Sequence, residues 1–247
     1  MFNQRLLYAA LTSTLALVFH ISAPAQSVDR SQTLKEVEAL KKELIEKEKQ
    51  FLSPSAEDQA KFAEFLKRPY SGLIRLFPRG LYDDVLLKPG GASFYSFARL
   101  SYDFPLDIEF RPIPKEKDDA HPPIEEYQFG TSPNGFIVMI GDVPLEKVTL
   151  TDDVIKFLSA YAPPSTIAEA RAGWRRYLDW IEGNGYEYKK YVPVIVNRTY
   201  ALRSIVYGGK GNSDILVAFR VVRKATDESV VILWNMLVKF PAPPAPR

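Results

Sequence analysis

The stretch Tyr200–Phe240 constrains the fold of this chain more than any other. Three apolar segments, TYALRSIVY, SDILVAFRVVRKA and SVVILWNMLVKF, are separated by the polar clusters GGKGNS and ATDES. β-Branched and aromatic residues dominate each segment and turn formers bound it, so the stretch reads as a three-stranded antiparallel meander. Turns centred on the two clusters put Phe219 opposite Met236, Val221 opposite Trp234 and Arg220 opposite Asn235. In the first hairpin they put Leu202 opposite Phe219 and Arg203 opposite Ala218.

Side chains alternate across a strand, so the meander has two distinct faces. One carries Tyr200, Leu202, Val206, Ile215, Val217, Phe219, Val221, Ile232, Trp234, Met236 and Val238, the expected core. The other mixes Ile205, Leu216, Ala218, Val222, Leu233 and Leu237 with Arg203, Tyr207, Arg220 and Asn235. These four are the candidate ligand-binding residues. Two guanidinium groups and an amide in an apolar wall suit a carboxylate, phosphate or sulfate. The competing reading has the arginines snorkelling at a sheet rim or pairing with acids from elsewhere in the chain.

Upstream segments complete an α+β reading. Residues 26–52 form a charged helix with Leu34, Val37, Leu40 or Lys41, Leu44 and Phe51 near one face. That helix packs on its own domain, serves as a spacer, or makes a homodimer through residues 33–51. A helix over Ala56–Lys67 begins at a loose capping box, since Asp58 is shorter than the usual Glu or Gln. GLIRLF and Ala92–Phe104 read as strands, with Asp107–Arg111 as the partner of the latter. Glu125–Thr131 and Gly135–Val143 read as a hairpin around Ser132-Pro133-Asn134-Gly135. Helices follow over 152–161 and, from the capping box Thr166 to Glu169, over 166–182. A connecting strand then spans 186–196. The expected fold is therefore one α+β domain over 53–240. Its mostly antiparallel sheet of about eight strands ends in the C-terminal meander and is packed by the mid-chain helices. The Pro-rich stretch 241–247 forms a tail.

Composition bears mainly on function. Among 247 residues, 32 basic side chains nearly balance 30 acidic ones, which gives no electrostatic case for nucleic acid. Residues 1–25 have the pattern of a signal peptide: Arg5, an apolar run over Leu6–Ile21, then Ala23-Pro24-Ala25. An uncleaved anchor is the alternative. Either way the protein is expected to be exported, periplasmic or secreted. Zero cysteines exclude disulfides, thiol catalysis and thiolate metal sites. Of two histidines, His20 lies in the signal, so a catalytic triad would have to use His121, in a Pro-rich charged loop. No motif for a cofactor or metal is present, and none is expected.

Two weaker signals remain. Trp180, Tyr186 and Tyr188 sit where an exposed aromatic platform for sugars or apolar peptides would lie, although such clusters usually belong to cores. Asp103, Asp107 and Glu109 are the acids a hydrolase would use, provided two share a cleft and one has a raised pKa.

PGGASFYSFARLSYDF, MIGDVPLEKVTL and SDILVAFRVVRKATDESVVILW resemble segments of an uncharacterised family of exported bacterial proteins. The resemblance implies export and no particular activity. Three expectations follow. The first is a non-catalytic binding or envelope-associated module for a small anion or envelope component. The second is a hydrolase of cell-envelope material. The third is a structural protein dimerising through its N-terminal helix.

Overall fold

The computed structural model describes residues 30–113, 127–166, 181–207 and 212–242, together with 168, 169 and 172. The signal-like segment, the loop holding His121, Trp180 and the distal tail lie outside the described residues. No helix of the described residues is long and apolar enough to cross a membrane.

The chain divides into two units between Glu43 and Leu44. Helix α1 spans Arg30–Leu52. Its stretch Arg30–Glu43 is exposed throughout. From Leu44 onward it belongs to the second unit, where Phe51 stacks on Phe77 at 4.9 Å and Leu52 is buried.

The second unit is built on a five-stranded antiparallel sheet. Its order is β1 (Ser71–Leu76), β11 (Val230–Lys239), β10 (Ser213–Lys224), β9 (Thr199–Val206) and β5 (Phe136–Gly141). The meander is its centre. Both hairpins are shifted by two residues from the expected register: Phe219 pairs with Trp234 and with Tyr200, and Arg203 pairs with Leu216. The β10–β11 register holds between two bulges, one with Leu237 as the extra residue in β11 and one with Val222 as the extra residue in β10. An even shift leaves each side chain on its expected face. Val238 alone changes sides: beyond the bulge it lies opposite Leu216 and joins that residue's cluster.

A second sheet, β2 (Phe94–Tyr95), β3 (Ile108–Pro112), β4 (Tyr127–Thr131) and β8 (Tyr191–Pro193), covers the first face. Aromatic rings fill the space between. Tyr200 stacks on Phe219 at 5.0 Å, Phe129 stands edge-on to both, and Phe97 meets Trp234 at 5.2 Å. Helices cover the opposite face: α2 (Ala56–Lys61), α3 (Ala63–Leu66), a 3₁₀ turn at Leu145–Lys147 and α4 (Asp153–Ala160). A mixed second face is thus explained by helices packing on it.

Three local expectations are corrected. The Ala92–Phe104 strand stops after Tyr95, because the chain doubles back between Ser96 and Ser101 with Leu100 at φ 56°. Thr131 and Phe136 do not belong to one hairpin: β4 and β5 lie in different sheets, so Ser132–Gly135 is a crossover between layers. The 166–182 helix cannot reach its expected end, since β6 (Ile181–Gly183) pairs with β7 (Tyr186–Tyr188). Asn184 and Gly185, at φ 54° and 80°, form the tight turn that Asn-Gly favours. At its start, the Thr166–Glu169 capping box is complete in both directions, with each backbone N–H bonded to the other side chain at 3.1 Å.

Candidate functional site

The four residues of the expected anion site do not converge. Arg203 pairs with Leu216 and Arg220 with Thr199, four residues further along, about 13 Å at strand spacing. Asn235 stands opposite Ala218 instead of Arg220 and is half-buried. Tyr207 donates to the Pro164 carbonyl at 3.0 Å.

Arg203 is consumed internally. It is 1% exposed, holds Asp214 through two hydrogen bonds, donates to the Leu158 and Ser159 carbonyls, and lies 3.6 Å from the Phe240 ring centroid. Its fork ties β9 to β10 and to the end of α4.

Arg220 has a different position. Its guanidinium donates to Asp142 at 2.6 Å, to the Val143 carbonyl at 3.0 Å and to Thr199 Oγ1 at 3.1 Å. Hydrogen bonding from Arg220 holds the exposed Asp142 carboxyl below its usual range. Arg220 also lines a surface groove of about 500 Å³. This groove is a gap in the helical layer. Phe62 and Phe65 form one wall, the Pro144–Glu146 segment forms the other, and Leu233 and Arg220 form the floor.

Charge at the groove is mixed but favours anions. Lys61, Arg68 and Arg220 face it against Glu64 and Glu146. Glu64 is already paired with Lys67 and Arg220 with Asp142, each at 2.6 Å, which leaves Lys61 and Arg68 against Glu146; Arg68 lies 4.8 Å from the Phe65 ring centroid. A cation over an aromatic face, above an apolar floor, suits a flat or aliphatic anion. The signal for the Phe62/Phe65 wall was present in the helical spacing. Its position opposite Leu145 was not, because 79 residues of intervening chain decide it.

The aromatic platform resolves differently. Tyr188 is fully buried, donates to the Val154 carbonyl at 2.9 Å and stacks on Phe157 at 4.2 Å. Tyr186 is half-buried and packs on the same cluster.

The three acids considered for hydrolysis have separate partners. Asp107 is fully buried between Ser96, Ser204 and the Ala98 N–H; burial raises its pKa against those hydrogen bonds. Glu109 pairs with Arg79 at 2.9 Å and Asp103 lies 3.9 Å from Arg99. Ser132 joins the Asp107 network through Ser204 at 3.1 Å.

Lys190 gave no signal in the sequence. It is 6% exposed, and its ammonium donates to the carbonyls of Ser132, Pro133 and Gly135, pinning the layer crossover. Burial pushes its pKa down to about 7, while three carbonyl acceptors favour the charged form. Among the described residues no cluster of three potential metal ligands occurs.

No family model, curated protein or solved structure compared with this chain matches it.

Proposed function

We propose that this protein is an exported, non-catalytic binding module that takes a small amphipathic anion in the Arg220 groove. One observation carries the reading. The helical layer leaves open a cleft of about 500 Å³ lined by apolar side chains, by Lys61 and Arg68, and by Arg220 paired with Asp142, a size and composition typical of ligand sites. Export rests on the pattern of residues 1–25, and an envelope component is one natural source of such an anion.

Calorimetric titration with indole-3-acetate and with its methyl ester tests it. The acid binds saturably and the ester at least tenfold more weakly. Arg220→Met lowers acid affinity further. Equal binding of acid and ester, or no saturable binding, sinks the reading.

A second reading has its own observation. Leu34, Val37 and Leu40 are 58%, 53% and 64% exposed on one face of α1. Arg30 and five lysines along α1 nearly balance five glutamates, so two copies of the helix do not repel. On this reading the chain forms a homodimer through residues 33–51. Sedimentation of the chain and of a Leu34→Ser/Val37→Ser/Leu40→Ser variant decides: a dimer lost in the variant supports it, and a monomeric parent removes it.

A further inference from the structure

A second cavity, of about 390 Å³, lies under the last turns of α1. Ile45, Leu52, Ile74 and Leu100 supply apolar wall. Lys49 and Lys88 also line it, and neither is ion-paired among the described residues. Glu48, the acid nearest in sequence to Lys49, is turned to the Lys88 backbone N–H at 2.9 Å.

One hydroxyl on the wall of this cavity has no partner among the described residues. Tyr95 is 6% exposed and lines the cavity, yet its hydroxyl makes no hydrogen bond to the described residues. Its neighbour Tyr102 is satisfied, donating to the Arg75 carbonyl at 2.7 Å and accepting from the Arg75 N–H at 3.3 Å. The two rings meet edge to face at 5.1 Å. That hydroxyl oxygen keeps accessible surface on a residue that lines the cavity, so it is a donor open to an accepting ligand atom. Burial, with the Asp107 charge adding to it, pushes the Tyr95 pKa up to about 12, so the group is a donor at neutral pH.

We infer that this cavity binds an aliphatic carboxylic acid bearing a second oxygen. The carboxylate meets Lys49 and Lys88, the chain lies along Ile45, Leu52 and Ile74, and the second oxygen accepts from Tyr95. The site is separate from the Arg220 groove and shares no lining residue with it. Ile45, Lys49 and Leu52 belong to α1, so a bound ligand also holds the end of that helix against β1.

Calorimetric titration of the full chain with 3-hydroxyoctanoate is the test, with octanoate and methyl 3-hydroxyoctanoate as comparisons. The expected result is saturable binding of the hydroxy acid. Tyr95→Phe weakens it about five- to tenfold, the loss of one hydrogen bond. Octanoate already binds more weakly and is indifferent to that change. Lys49→Gln with Lys88→Gln reduces the hydroxy acid to the level of its ester, while Arg220→Met leaves it unaltered. In the same samples, amide exchange over residues 45–52 slows when the hydroxy acid is bound. No saturable binding, or equal affinity of parent and Tyr95→Phe for the hydroxy acid, overturns the inference. Loss of binding on Arg220→Met alone assigns the ligand to the groove and overturns it as well.

Discussion

Arg203 and Asp214 lie diagonally across the β9–β10 hairpin, joined by two hydrogen bonds of 2.6 and 2.8 Å, with side chains 1% and 2% exposed. A buried pair of this kind contributes little net stability by itself, because both ions have lost their water. Breaking it is another matter, since one charge is then left alone in the interior.

Asp214→Ala is expected to destabilise the fold by about 3–5 kcal/mol. Arg203→Met with Asp214→Leu removes both charges and recovers most of that loss. Urea denaturation of the three proteins measures it; a double variant no better than the single one contradicts the account.

Lys190 makes stability depend on pH. Its folded pKa of about 7 is below the ordinary 10.5, so between those values the unfolded chain binds more protons. Stability therefore rises as pH increases from about 7 toward 10.5 and is lowest below 7. The three carbonyl acceptors reduce the size of this effect without changing its sign. Lys190→Met flattens the rise in melting temperature between pH 7 and 9.

Gly72 lies opposite Trp234 with no room for a methyl group. A Cβ there meets the indole at 2.6–2.7 Å, and Gly72 is at no positive φ, so the constraint is steric. Gly72→Ala is expected to cost about 1–3 kcal/mol. Indole fluorescence follows the displacement, and an unperturbed spectrum with full stability argues against it.

Asp58 anchors α2 to the end of β10. Burial acts to raise its pKa, but the hydrogen bonds from Arg223 and Ser55 outweigh it and hold the carboxyl below 3.8. A lowered carboxyl contributes stability that is present above pH 3.8 and lost as pH falls through the folded value. Asp58→Asn is expected to cost roughly 1 kcal/mol at neutral pH, because Arg223 is 40% exposed and screened. The difference from the parent vanishes in acid, as melting curves across pH show.

At the groove, Arg68→Gln removes an exposed cation that rests on Phe65. Affinity for indole-3-acetate is expected to fall about three- to tenfold, and its salt dependence to weaken, with stability within about 0.5 kcal/mol of the parent. A stability loss matching the affinity loss would assign Arg68 to the fold instead of the site.

The N-terminus of α2 shows how local chemistry was legible. Ser55 accepts from the Asp58 N–H at 3.1 Å, the half of the capping box that the sequence supports. Asp58 is too short to complete the reciprocal bond, and it turns to Ser55 Oγ and to Arg223, 165 residues away. The first partner follows from spacing along the helix, and the second from strand β10 passing beneath.

The same division runs through the whole chain. By itself the sequence determined the α+β class, the meander, its two faces and the capping residues, because each depends on periodicity or chemistry within a few residues. The register error of two residues did no damage, since strand alternation has that same period. Only the tertiary structure decided that Thr131 and Phe136 enter different sheets, that Arg203 is sealed against Asp214 and Leu158 while Arg220 floors a groove, and that the Tyr95 hydroxyl is left without a partner. Those outcomes depend on which distant surfaces cover each face, a choice made by packing the layers together and not by any local pattern.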